Sequence, residues 1–127
     1  MNLSDYFENV RGLGILATAD SDGMVDLAIY AKPHVIDETT IAFIMRERLT
    51  RQNLKSNPRA AYMFVEQGEG YSGKRLYLTK IREESNTSIV EMFRKKQPEI
   101  CASYDDSNKY LVHFRIDDVR PLVGETT

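Results

Sequence analysis

Apolar and polar positions alternate with period two over much of the chain, and that pattern predicts strands. The stretch 14–19 (GILATA) is one, and 24–31 (MVDLAIYA) returns as its partner. In the partner, Val25, Leu27, Ile29 and Ala31 share one face, and Asp26, Ala28 and Tyr30 the other. Asp20-Ser21-Asp22-Gly23 between them reads as a tight turn, with Gly23 at positive φ. Pro33 ends the hairpin, and Asp37-Glu38-Thr39-Thr40 turns into 41–45 (IAFIM). That run is apolar throughout, so both of its faces are expected to be buried. The run 60–65 (AAYMFV) is a further apolar strand with aromatic content. Stretch 75–82 alternates, with Leu76, Leu78 and Lys80 on one face and Arg75, Tyr77, Thr79 and Ile81 on the other. Stretch 110–116 alternates again and is the last predicted strand.

Helical signals are fewer. Ser4 is placed to cap a short helix to about Val10, with Phe7 and Val10 on one face, and Gly12 and Gly14 then break it. Stretch 49–56 (LTRQNLKS) holds good helix formers, and Asn57-Pro58 stops it. Leu49 and Leu54 are too few for a core helix, which predicts a surface one. Ser88-Ile89-Val90-Glu91 fits a capping box, and Ile89, Val90, Phe93 and Ile100 form a helical stripe. A polar turn follows at 103–108, and the polar tail beyond Leu122 is expected to fray. Six or seven short strands with two or three small helices, and no regular crossovers, predict a mainly β (α+β) antiparallel sheet or barrel.

A chain of 127 residues suits one domain spanning 1–127. No stretch approaches the roughly 20 apolar residues of a membrane helix, and the first ten residues lack the basic and apolar regions of a signal peptide. A cytoplasmic location is therefore expected. The net charge of -2 and pI near 5.7 argue against a nucleic-acid partner. Cys101 is the single cysteine, which excludes an internal disulfide and a cysteine-built zinc site. His34 and His113 stand far apart with no metal-ligand spacing, so no metal is expected.

No nucleophile elbow, P-loop or dinucleotide fingerprint is present. Cys101 reads as a buried or incidental thiol, His113 as a satisfied structural histidine, and His34 as a loop residue able to titrate. Chemistry, if any, would be carried by a cofactor. The unusual stretch is the start of the helix at 49–56. Arg46, Arg48, Arg51, Lys55 and Arg59 meet one acid, Glu47, in the same span. Arg48 and Thr50 sit where backbone N–H groups point outward and the helix dipole favours an anion, which makes a phosphate cradle. The alternatives are a solvated basic face with Thr50 as N-cap, or a helix that docks on an acidic partner. Gly68, Gly70 and Gly73 mark a loop that moves or lets something approach its backbone.

Three pieces, in order, resemble the pyridoxamine 5′-phosphate oxidase family of FMN-binding split barrels. Leu16-Ala17-Thr18-Ala19-Asp20-Ser21-Asp22-Gly23 is similar to the family's first hairpin. Met45 through Thr50, with the helix after it, is similar to its phosphate turn. Asn53-Leu54-Lys55-Ser56-Asn57-Pro58-Arg59-Ala60-Ala61 is similar to its helix stop and following strand. The resemblance implies a six- to seven-stranded antiparallel split barrel and a homodimer with one FMN per subunit at the interface. It implies that Ala28, Ile29, Tyr30 and Ala31 flank the isoalloxazine, largely through backbone, and that Ile44 and Met45 approach the ring or ribityl chain. Arg48, the Leu49 backbone and Thr50 would hold the phosphate, with Asn53 nearby. Tyr30 or Tyr71 would stack on the ring or close it off, with cross-strand packing as the alternative for Tyr30. Lys74 and Arg75 would face the ring, with a solvent-facing edge charge as the alternative for Lys74. The oxidase carries a lysine where this chain has Thr50 and an arginine where it has Ala28. This chain is also shorter and lacks the oxidase's C-terminal grip on substrate phosphate. The resemblance therefore points to a compact FMN-binding relative that acts on an unidentified small molecule or nicotinamide donor. A deazaflavin or haem-related ligand, or a non-catalytic binding or storage module, is the alternative.

Overall fold

The computed structural model describes residues 2–85 and 109–124. The helix expected over 88–100, Cys101 and the turn at 103–108 lie outside them. Among the described residues two helices and seven strands run in the order α1 (Leu3–Asn9), β1 (Gly12–Ala19), β2 (Val25–Tyr30), β3 (His34–Val35), β4 (Thr40–Arg46), α2 (Leu49–Ser56), β5 (Arg59–Glu66), β6 (Gly73–Glu84) and β7 (Lys109–Pro121). All strands join one antiparallel sheet in the order β2-β1-β5-β6-β7-β4-β3.

The hairpin forms as its alternation predicts. Asp20 Oδ1 accepts from the backbone N–H of Asp22 and Met24, and Gly23 sits at φ 83°. Helix α1 is capped by Asn2, whose side chain accepts from Asp5 N–H, and not by Ser4, which lies inside the first turn. Gly12 and Gly14 break no helix; both lie in β1. Gly14 is required by a close approach, since a Cβ there would sit 1.9 Å from Tyr62 Oη. Strand β7 runs on to Pro121 because its end pairs with the start of β6, Lys74 facing Pro121. The tail up to Gly124 is tied as well: Leu122 N–H donates to Gly73 O, and Arg75 donates to the carbonyls of Pro121 and Gly124.

The sheet curls so that its two edges approach. Tyr30 of β2 meets Phe43 of β4 edge-on at 5.7 Å. Leu16, Ile41, Phe43, Met45, Tyr62, Phe64, Leu76, Leu78, Val112 and Phe114 fill the interior. At one end α1 inserts Tyr6 and Phe7 against Phe64. A second, smaller cluster of Ala42, Leu111 and Ile44 lies on the other face of β4 and β7. Both faces of β4 are thus covered, as its composition predicts.

Candidate functional site

Helix α2 connects β4 to β5 and packs against β1, β2 and β4. It is not a purely surface helix, because Thr50, Arg51, Asn53 and Leu54 are all buried. Asn53 Nδ2 donates to Thr18 Oγ1 at 3.1 Å, a buried bond that ties α2 to β1. The N-cap position is Arg48, not Thr50, and no side chain caps the helix. The first-turn N–H groups are left to an external acceptor, beside an exposed guanidinium for which no ion pair is recorded among the described residues.

The basic residues are not equivalent. Arg51 donates to Glu47 in the preceding turn and to Glu83 on β6, through Nε at 3.0 Å, and its guanidinium lies 3.5 Å over the Tyr110 ring. Burial works against the charge on Arg51, and the two carboxylates more than reverse that. Burial likewise pushes Glu83 up, but bonds from Lys80 and Arg51 hold its carboxyl below the usual range. Glu47 is the one acid in the same span of sequence, and the fold adds a second, Glu83, from a strand 32 residues away. Lys55 reaches Glu47 at 3.9 Å and Arg59 reaches Asp117 at 4.0 Å. Arg48 is left as the cation presented at the helix start.

The hairpin residues sort by face. Leu16 and Thr18, which are buried, pair with Ala28 and Asp26. Ala28 and Tyr30 therefore face the α2 side, and Val25, Leu27 and Ile29 face outward, 82 %, 70 % and 74 % exposed. β2 is an edge strand, so half of its backbone N–H and C=O groups have no strand partner on that side. Tyr62 Oη lies 3.2 Å from the Ala31 carbonyl and fixes the end of β2. Ile44 and Met45 point to opposite faces. Met45 is sealed in the interior, so a ligand meets it through backbone, and Ile44 packs with Ala42 and Leu111.

Other expected residues lie elsewhere. Tyr71 is exposed in the glycine loop, and Lys74 Nζ sits 4.7 Å over the Tyr6 ring. Arg75 is engaged by the chain's tail and Tyr77. His34 is not a loop residue; it forms β3 and is buried. His113 is buried but not satisfied: its Nε2 stands 2.9 Å from Glu84 Oε1 without hydrogen-bond geometry. Burial and Arg82 push its pKa down, against the pull of Glu84. Among the described residues no group of His, Cys, Asp and Glu is arranged to hold a metal, and no helix is long and apolar enough to cross a membrane.

Sequence reasoning missed a cleft of about 550 Å³ at the far end of β1, lined by Arg11, Leu13, Lys32, Val65, Glu66 and Gln67. Leu13 pairs with Val65, and Lys32 donates to Val10 O at 3.1 Å. The cleft adjoins the glycine loop, whose composition was its one signal. Along β1 it lies about 20 Å from the Thr18 end.

No family model matches the chain, and no curated protein matches it. Solved structures do. An FMN-binding protein from Syntrophomonas wolfei subsp. wolfei superposes with TM-score 0.79 at 17 % identity, over 95 % of this chain and 84 % of that one. A proposed pyridoxamine 5′-phosphate oxidase from Lactobacillus delbrueckii gives 0.67 at 18 %, over 91 % and 88 %. A structure described as an F420 reductase gives 0.72 at 14 %, over 94 % and 97 %. At such identities the likeness carries the architecture alone. The chain has the antiparallel split-barrel fold of the pyridoxamine 5′-phosphate oxidase type.

Proposed function

We propose that this protein binds FMN at the corner between β4 and α2 and acts as an oxidoreductase on a small molecule. The observation that carries this reading is the α2 N-terminus: its first turn has no side-chain cap and stands beside an exposed Arg48. That donor set suits a phosphate dianion. Arg48, the Leu49 backbone and Thr50 would take the phosphate, while Asn53, bonded to Thr18, holds the helix against β1. The edge of β2 at Ala28, Ile29, Tyr30 and Ala31 would offer backbone donors and acceptors to the ring. The backbone at Ile44 and Met45 would approach from the other side. FMN when bound supplies hydride and electron transfer; the chain's own residues bind, orient and shield it. The cleft between Arg11 and Gln67 offers a place for the reacting partner, with an apolar floor and two cations. A solved neighbour described as an FMN-binding protein is consistent with this reading.

The test is titration of the purified protein with FMN and with riboflavin, followed by a nicotinamide donor. The expected result is yellow protein that prefers FMN and is bleached by the donor. Protein that keeps FMN but is never bleached by any donor would support a binding or storage module in place of an enzyme.

The outward face of β2 supports a second copy of the chain as partner. Val25, Leu27 and Ile29 lie beside Ile15 and Met63 on neighbouring strands, an exposed apolar stripe of the kind that marks an interface. The chain is expected to be a dimer at micromolar concentration, and Leu27→Asp to give a monomer by light scattering. An unchanged dimer in that variant would move the interface elsewhere.

A further inference from the structure

Helix α2 is held from two sides. Asn53 fastens it to β1. Opposite, Arg51 fastens it to the paired ends of β6 and β7 through Glu83 and Tyr110, and to its own entry turn through Glu47. Glu83 is itself braced by Lys80 at 2.7 Å. Arg51 stands in the first turn of the helix, between the Arg48–Thr50 corner and the sheet. Three of its five N–H donors go to the two carboxylates and its face lies over a ring, so the guanidinium is committed chiefly to the protein itself. Removing it would leave the first turn without its side-chain bonds to β6 and to the entry turn, held there by the packing of Thr50.

We propose that Arg51 is the positioning residue of the phosphate corner, with Glu83 as its anchor: it touches no ligand, and it fixes where the uncapped N–H groups and Arg48 point. This rests on the FMN reading above. It also separates the cations into one that presents charge and one that spends its charge on geometry, a division that residue type alone does not reveal.

The experiment titrates the wild-type protein, Arg51→Met, Arg51→Lys and Glu83→Gln with FMN and riboflavin by fluorescence quenching, with a thermal melt of each. FMN affinity is expected to fall roughly tenfold or more in Arg51→Met and Glu83→Gln, the usual size for loss of an outer-shell partner. Riboflavin affinity is expected to stay within a factor of about two. Arg51→Lys, which keeps the charge but not the fork or the stack, is expected to lose as well. Equal losses for both flavins would mean a general structural role and overturn the inference, as would unchanged FMN binding. If Arg51→Met does not fold, Glu83→Gln and Arg51→Lys carry the same comparison. Should the wild type itself fail to prefer FMN over riboflavin, the phosphate corner is wrong and the inference falls with it.

Discussion

Arg48→Ala is expected to weaken FMN binding roughly ten- to hundredfold. The variant loses one charge-assisted contact, worth about 1.5–3 kcal/mol. Arg48 is exposed and makes no recorded ion pair among the described residues, so its removal should leave the fold and its melting temperature unchanged. Riboflavin, which lacks the phosphate, should bind variant and parent alike. Fluorescence titration with both flavins checks this. Unchanged FMN affinity would place the phosphate away from the start of α2.

Gly14→Ala is expected to damage the fold itself. An added Cβ would lie 1.9 Å from Tyr62 Oη, 2.5 Å from its Cζ and 2.7 Å from the carbonyl of Tyr30. Tyr62 cannot step aside: it is fully buried, with its ring 5.0 Å from that of Phe43 and 6.3 Å from that of Phe7. Its hydroxyl is also the bond to the end of β2 at Ala31. Overpacking of this kind costs about 3 kcal/mol, which lowers the melting temperature by roughly 10 °C for a domain of this size. Thermal unfolding measures it. A melt within about 2 °C of the parent would mean that the close approach is relieved at little cost. Because Tyr62 holds the strand proposed to flank the flavin, the variant should also bind FMN less well.

What was legible in the sequence was local. The hairpin could be read because alternation and the Asp20–Gly23 turn are adjacent signals. The bounds of α2 came out at Leu49 and Ser56 because Asn57-Pro58 stops a helix whatever surrounds it. What was not legible depends on distant residues. Gly12 and Gly14 look like helix breakers until Phe64 and Tyr62 are seen to occupy the space a Cβ would need. Arg51 looks like part of a basic face until Glu83 is folded against it. Alternation placed Val25, Leu27 and Ile29 together but could not say that their face is the outer one. The alternation of β7 ends at Ile116, because its later residues leave the interior, while the strand itself continues to Pro121.

Strand β4 has a consequence for how the protein is made. Its long pairing is with β7, and Ile41 faces Phe114 across 73 residues of sequence. At 5–20 residues per second the ribosome needs roughly 4–15 s to deliver that partner. Through that interval an uncharged, proline-free run from Ile41 to Met45 waits with the edge that β7 will pair left open, a combination prone to aggregation. Slow closure of such remote strands should make nascent-chain yield sensitive to temperature and to chaperone supply, more than the finished protein's stability would suggest.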